Sequence, residues 1–437
     1  MVPTLSTLYT RYGDVVALNG LGEKAVVIFD PRVWAHVHNA SGSWPMGATD
    51  SLWMLHQYLA NSDIPSSQAM DFGTEKWEST RKAMQRSLLS PQAAGKYAAV
   101  VDHVARSNVG LLHSSGAESD VHSWLQQLSF DMVCGALLGS PLPHPSDEFH
   151  PLLKATVRSM ECASGMLMSP LGKWHATLNT TLWKDWVAAL DVMMDLSRSD
   201  VKAALASPPP AGFSYAHDLV EKGTLDPDRV AANIPGLLMA GFETVASTLH
   251  WTLIHLGSNQ GVQDRLRAEI VSVIKDDVLD RAHLRSLPFL RATLKEVQRC
   301  TPTAFMFVRK LQAPLTVPTQ SGDSVTLPSD AWLAFSPVGV AHDPALVHNP
   351  HLFSPDRFLP PASDNKESLI YHPLMRDGFS VGPRMCLGAR IAQLEIVAAV
   401  VALLRDYRIV TAPTPYEIHN HASTFPSPSP SLSLSPL

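Results

Sequence analysis

The sequence predicts a single, mainly α-helical domain with small β-sheets (α+β) over residues 1–410, followed by a Pro/Ser-rich tail. Three observations predict it. Apolar residues recur near a 3.6-residue spacing in most windows from Trp77 to Cys300. Short runs of two-residue alternation stand before and after that region. The interruptions Ser140-Pro141-Leu142-Pro143, Ser207-Pro208-Pro209-Pro210 and Asp226-Pro227 are brief, so they separate helices and not domains.

Taken in order, residues from about Thr4 to Asp30 alternate and read as short strands, Val15–Leu18 and Ala25–Phe29, joined by Asn19-Gly20 turn chemistry. The helical region follows, and within it the apolar run Asn233 to Leu256 reads as a buried helix that Pro235 should bend or break. After Thr301-Pro302 the pattern shortens again, with strands expected at Leu315–Pro318 and Ser324–Leu327. A last helix is expected from Ile391 to Leu404. From Thr411 onward Pro and Ser dominate without a core face, which predicts a disordered tail over 411–437.

Composition narrows the function classes. A 45% hydrophobic chain with net charge −6 is globular and carries no basic surplus for nucleic acid. No run approaches the roughly 18 to 20 apolar residues of a membrane-spanning helix. The opening Met1-Val2-Pro3-Thr4-Leu5 is neither a signal peptide nor an Arg-rich presequence, so a targeting segment is expected to be absent or missing. Cys134, Cys162, Cys300 and Cys386 are scattered without metal-ligand or disulfide spacing.

Only Cys386 has a chemical context. It stands in Phe379-Ser-Val-Gly382-Pro-Arg384-Met-Cys386-Leu-Gly388, a frame that suits a thiolate bound to haem iron. Glycines at 382 and 388 let the chain turn and bring backbone N–H groups to the sulfur, Phe379 shields it, and the following helix N-terminus favours its negative charge. Arg384 reaches a haem propionate with its fork of donors. The five fixed positions match by chance at about one in ten million starting points. Within the apolar helix, Ala240-Gly241-Phe242-Glu243-Thr244 places Ala240 and Thr244 on one face, where a threonine hydroxyl bonding back four residues would open a groove.

These motifs resemble the cytochrome P-450 family of haem-thiolate monooxygenases, over about Tyr12 to Val410. The resemblance implies haem b held axially by Cys386, dioxygen bound in the groove at Ala240 and Gly241, Thr244 organising water and Glu243 feeding protons. It places Trp77, Arg81 and Arg309 on the haem propionates. Glu296 and Arg299, by spacing alone an ordinary solvated pair, are implied to form a structural ion network with Arg357 of Phe353-Ser-Pro-Asp-Arg357-Phe358. Phe305, Met306 and Phe307 become pocket-lining candidates.

Within the family the likeness is to the mitochondrial clan, through Ala232–Gly241, Val262–Glu269, Leu182–Ala189 and the cysteine loop. That implies an apolar sterol- or steroid-like substrate, an acidic ferredoxin docked on Arg291 and Lys295, and the matrix side of the mitochondrial inner membrane with peripheral membrane contact. A flavoprotein reductase in the endoplasmic reticulum is the alternative donor and compartment. Relative to the family, the chain is expected to lack its anchor or presequence, its first helix and its last hairpin. Two other readings therefore stand beside monooxygenation: a haem-thiolate isomerase or dehydratase, and a non-catalytic haem-binding remnant.

Overall fold

The computed structural model describes residues 2–20, 23–42, 53–60, 75–112, 120–143, 149–210, 212–275, 277–319, 322–361, 368–412, 417–420, 423–427 and 429–437. Helices dominate, in agreement with the predicted class. In the first half these are α1 (Val2–Tyr12), α2 (Pro31–Ala40), α3 (Trp53–Leu59), α4 (Glu75–Leu88), α5 (Pro91–Gly110), α6 (Val121–Leu138), α7 (Pro151–Met168), α8 (Trp174–Thr177) and α9 (Thr181–Leu205). The second half has α10 (Tyr215–Glu221), α11 (Pro227–Ser258), α12 (Gln260–Ile274), α13 (Arg281–Arg285), α14 (Pro288–Cys300), α15 (Val338–Ala341), α16 (Pro373–Arg376) and α17 (Ala389–Asp406).

The central rod is α11. Asp226 caps it by accepting from Arg229 N–H at 2.9 Å, and Pro227 takes the first position, where no amide bond is lost. Its 32 residues span about 48 Å. The helix runs unbroken through Pro235, against the expected break. Phe242, Leu249, Trp251 and Leu253 are fully buried in it, and α6, α9 and α17 pack around it in the larger of two hydrophobic cores.

The smaller core lies under a four-stranded sheet of order β1-β2-β6-β3. Its strands are β1 (Val15–Gly20), β2 (Glu23–Ile28), β3 (Phe307–Arg309) and β6 (Trp332–Phe335). β1 pairs antiparallel with β2 in the register Val15↔Ile28, and β2 pairs parallel with β6. Asn19 and Gly20, expected to make the turn, instead pair with Lys24 and Glu23 as the last residues of β1, and the two residues between the strands lie outside the described set. β4 (Leu315–Pro318) and β5 (Ser324–Leu327) form the expected hairpin.

Two expectations fail at the ends. Residues 2–12 are helical, not stranded, and Leu5 on that helix joins the smaller core. Composition hid the pattern in the tail: β7 (Tyr407–Thr411) pairs with β10 (Leu432–Pro436), whose Leu432 and Leu434 are buried while the serines between them face out. β8 (Glu417–Asn420) and β9 (Thr424–Ser427) form a further antiparallel hairpin. Serine on the outer face of a strand costs nothing that a core must repay, so a Ser-rich stretch with period-two leucines folds. Much of the segment expected to be disordered is therefore built.

Candidate haem-thiolate site

A cavity of about 410 Å³ lies between α11, the cysteine loop and the start of α17. Ala240, Gly241 and Thr244 line it from one side, with Phe379, Arg384, Cys386 and Gly388 opposite and Arg309 at the edge. Thr244 Oγ1 donates to the Ala240 carbonyl at 2.9 Å and also lies 3.3 Å from the Gly241 carbonyl. That back-bonding loosens the helix where it faces the sulfur. Gly241 has a second reason to be glycine, since a Cβ there would stand 3.0 Å from Val133 of α6.

The loop is held by its own backbone. Cys386 N–H donates to the Phe379 carbonyl at 2.8 Å, and Met385 N–H to the Gly382 carbonyl at 3.1 Å. Gly382 sits at φ +71°, and any Cβ on it would run into the His38 ring. Ser380 at φ +59° takes a left-handed conformation that disfavours side chains, a strain this loop carries next to the site. Gly388, expected to ease the turn, has φ −87°, which any residue adopts. Its contribution is its N–H, which bonds to the Cys386 sulfur.

Cys386 is accessible from the cavity yet enclosed by protein, and that burial raises its thiol above the ordinary range. The Gly388 N–H and the charge of Arg81 pull the other way. Cys134 and Cys162 are buried, and burial pushes the Cys300 thiol up to about 12. Of the four cysteines, Cys386 is the one that lines this cavity.

Cationic groups suit an anionic cofactor. Arg81 on α4 donates to the Met385 carbonyl, lies beside the Trp77 ring and is 6% exposed. Arg384 donates to the carbonyls of Ser41 and Gly42. Burial lowers Arg81 and pushes Arg309 down to about 10; burial and then Arg309 push Arg384 to about 10. Among the described residues, neither Arg81 nor Arg309 has a carboxylate partner, and the Nε of each is buried without a hydrogen bond. His38 packs against Gly382 with both ring nitrogens in the same condition. A buried guanidinium without a counter-charge is costly, so this donor set fits the propionates of haem. Of the three candidate pocket residues, Phe307 lines the cavity, whereas Phe305 packs on the smaller core.

Glu243 is brought beside Thr244 in sequence but not in direction. Its Oε1 accepts from Ser423 at 3.2 Å and its Oε2 from Gln126 at 3.1 Å. Glu296 is fully buried at the centre of its network, bonded to Arg299 through both oxygens at 2.8 Å, to Arg357 at 3.0 Å and to the Ser354 N–H at 2.9 Å. Arg291 turns its guanidinium back onto the carbonyls of Leu284 and Arg285, and Lys295 is half-buried. Both line a second cleft of about 560 Å³ with Arg285, Arg376 and Arg390, where Asp377 is the one carboxylate. Phe379 lines both spaces.

Sequence reasoning missed His38, Gln126, Ser423 and Glu395. Glu395 lines the cavity from α17, is 1% exposed, and burial pushes its carboxyl up to about 8. The signal for it was present, a lone carboxylate within the apolar run Ile391–Leu404.

A family model described as cytochrome P450 matches residues 2–435. Mouse (Mus musculus) mitochondrial 1,25-dihydroxyvitamin D(3) 24-hydroxylase is 26% identical over 417 residues, covering 93% of this chain and 78% of that enzyme. Human (Homo sapiens) mitochondrial sterol 26-hydroxylase is 27% identical over 415 residues, with 88% and 75% covered. The human mitochondrial cholesterol side-chain cleavage enzyme is 24% identical over 431 residues, with 92% and 78% covered.

Proposed function

The chain belongs to the cytochrome P450 family of haem b monooxygenases, and from that premise we propose that it oxidises an apolar, sterol- or steroid-like substrate with electrons from a ferredoxin. The observation that carries the reading is one cavity lined both by Cys386 and by the Ala240–Thr244 turn, whose threonine bonds back to the Ala240 carbonyl. When bound, haem supplies activation of dioxygen, one atom of which enters the substrate while the other leaves as water.

The chain's own residues do the rest. Cys386 would hold the iron of the bound haem through its sulfur, which the Gly388 N–H favours as thiolate, and Phe379 would keep water from it. Trp77, Arg81, Arg309 and Arg384 would hold the propionates. Thr244 keeps a hydroxyl at the groove, and Glu243, whose carboxylate is bonded to Gln126 and Ser423 and does not line the cavity, would have to turn toward it to supply protons. Glu296, Arg299 and Arg357 fix the segment before the cysteine loop. Leu88, Val133, Leu237 and Val245 make the cavity apolar, which supports an apolar substrate, and the names of the relatives support a sterol or steroid.

The cleft of five cations around Arg291 and Lys295 supports an acidic donor protein, and its shared wall at Phe379 brings that donor near the haem. No helix among the described residues is long and apolar enough to cross a membrane. Leu167, Leu171, Trp174 and Leu178, all strongly exposed around α8, support peripheral contact with a membrane, and the names of the relatives support the mitochondrion as its compartment. The test is the absorption spectrum of the reduced, carbon-monoxide-bound protein. Cys386→Ser should abolish the thiolate-type band while Cys134→Ser, Cys162→Ser and Cys300→Ser keep it; an unchanged spectrum in Cys386→Ser overturns the assignment.

A further inference from the structure

Glu243 and Thr244 are consecutive on α11, so their side chains leave the helix about 100° apart. Thr244 faces the cavity, and Glu243 faces the seam where α6 and the C-terminal hairpin meet α11. The carboxylate is 6% exposed. It accepts from two neutral donors on separate elements, Gln126 Nε2 on α6 and Ser423 Oγ at the entry to β9.

Ser423 is held in place from several sides. The next residue, Thr424, accepts at its carbonyl from Ser247 Oγ and from Trp251 Nε1, the latter at 2.9 Å. Its own hydroxyl donates to the Pro302 carbonyl at 3.0 Å, and its N–H to the Thr303 carbonyl at 3.2 Å. Ser423 itself is fully buried. Its backbone is anchored through Thr424 and its side chain is enclosed, while Gln126 is only half-buried.

We propose that Ser423 and Gln126 are positioning residues for Glu243, and that the β8–β9 hairpin thereby takes part in proton supply to the Thr244 groove. This rests on the reading of Glu243 given above. A hydroxyl donates and accepts, so Ser423 serves the carboxylate and the carboxylic acid alike, giving to the one and receiving from the other. The Gln126 NH₂ donates to the other carboxyl oxygen. Together the two hold the side chain in the orientation from which it must turn to reach the groove. Other titratable groups on the same seam are His122, one turn before Gln126 on α6, and His250, two turns after Glu243 on α11, with their rings 5.6 Å apart.

The test follows Glu243 directly. Haem-loaded protein carrying carbon-13 carboxyl-labelled glutamate is examined by infrared difference spectroscopy, with Glu243→Gln identifying the band. Removing a donor changes the hydrogen bonding of the carboxyl group, so Ser423→Ala and Gln126→Leu should each displace the Glu243 band and raise the peroxide yield. Ser423→Thr, which keeps the hydroxyl, should restore both. Gln126 is half-buried, so Gln126→Leu keeps the test standing where Ser423→Ala fails to fold. A Glu243 band that does not move in the folded variants overturns the proposal. The proton-supply reading fails on a different result, an unchanged peroxide yield in Glu243→Gln.

Discussion

Glu395 offers the sharpest quantitative test of how this cavity is built. The residue lies on α17, 1% exposed, with one carboxyl oxygen buried and without a hydrogen bond among the described residues. Burial alone raises its carboxyl from 4.5 to about 8. In the unfolded chain the group loses its proton near the ordinary value, whereas in the folded chain it keeps it. Between those two values the native state binds more protons than the unfolded one, so stability falls as pH rises. The contribution is fully present below pH 4.5 and is lost progressively until pH passes the folded value of about 8. At pH 7 the unfolded state has gained roughly 2.5 pH units of deprotonation, on the order of 3 kcal/mol, and above pH 8 the loss approaches about 5 kcal/mol. Glu395→Gln keeps the shape and removes the titration. Denaturant unfolding of the haem-loaded protein from pH 5 to pH 9, followed by tryptophan fluorescence and haem absorbance, should show the variant gaining on the parent by about 3 kcal/mol near neutrality. Parallel pH profiles for the two proteins would refute the argument that desolvation governs this carboxyl.

Three further outcomes follow from the site. Thr244→Ala should retain haem and substrate binding but divert electrons into hydrogen peroxide, and Glu243→Gln should do the same; product coupling equal to the parent's would remove both from oxygen activation and favour the isomerase reading. Glu296→Ala strands Arg299 and Arg357, so it should cost roughly 3 to 5 kcal/mol and lower the yield of haem-loaded protein, as measured by denaturant unfolding and the absorbance ratio of haem to protein. The double reversal Arg291→Glu with Lys295→Glu should slow reduction by an acidic ferredoxin most at low salt, while leaving the carbon-monoxide spectrum intact. Identical rates at every salt concentration would place the donor elsewhere.

What could be read from the chain was what is local in it. The cysteine loop and the Ala240–Thr244 turn are contiguous, and their chemistry follows from residue types one helical turn or one tight loop apart. The strands β4 and β5 have the bounds that alternation predicted. The ends misled because composition was weighed over period: the prolines and serines after Thr411 conceal Leu432 and Leu434 on one buried face. Long-range pairing left no local mark. Ser423 meets Glu243 across 180 positions, and Arg384 reaches Ser41 across 343. Spacing puts Arg291 and Lys295 on one helix face, but only the fold shows the Arg291 guanidinium bonded to the carbonyls at the end of α13.

The arginines separate into two groups by what surrounds them, and that separation bears on the site more than their positions do. Burial works against the charge of Arg299, yet its bonds to Glu296 outweigh it and hold the guanidinium above its ordinary range. Arg309 has no such bond, and burial pushes it down to about 10. Burial also lowers Arg81, and no carboxylate among the described residues opposes it. A chain selected for stability alone would not keep such charges where apolar side chains of similar volume would pack at lower cost. Arg299 therefore belongs to the scaffold, complete within the protein. Arg81 and Arg309 are finished only by an anion from outside it, and a group that binds the folded state and not the unfolded one returns that cost as stability. The proposed haem would supply that counter-charge through its propionates, so its binding would stabilise the fold as well as serve the chemistry.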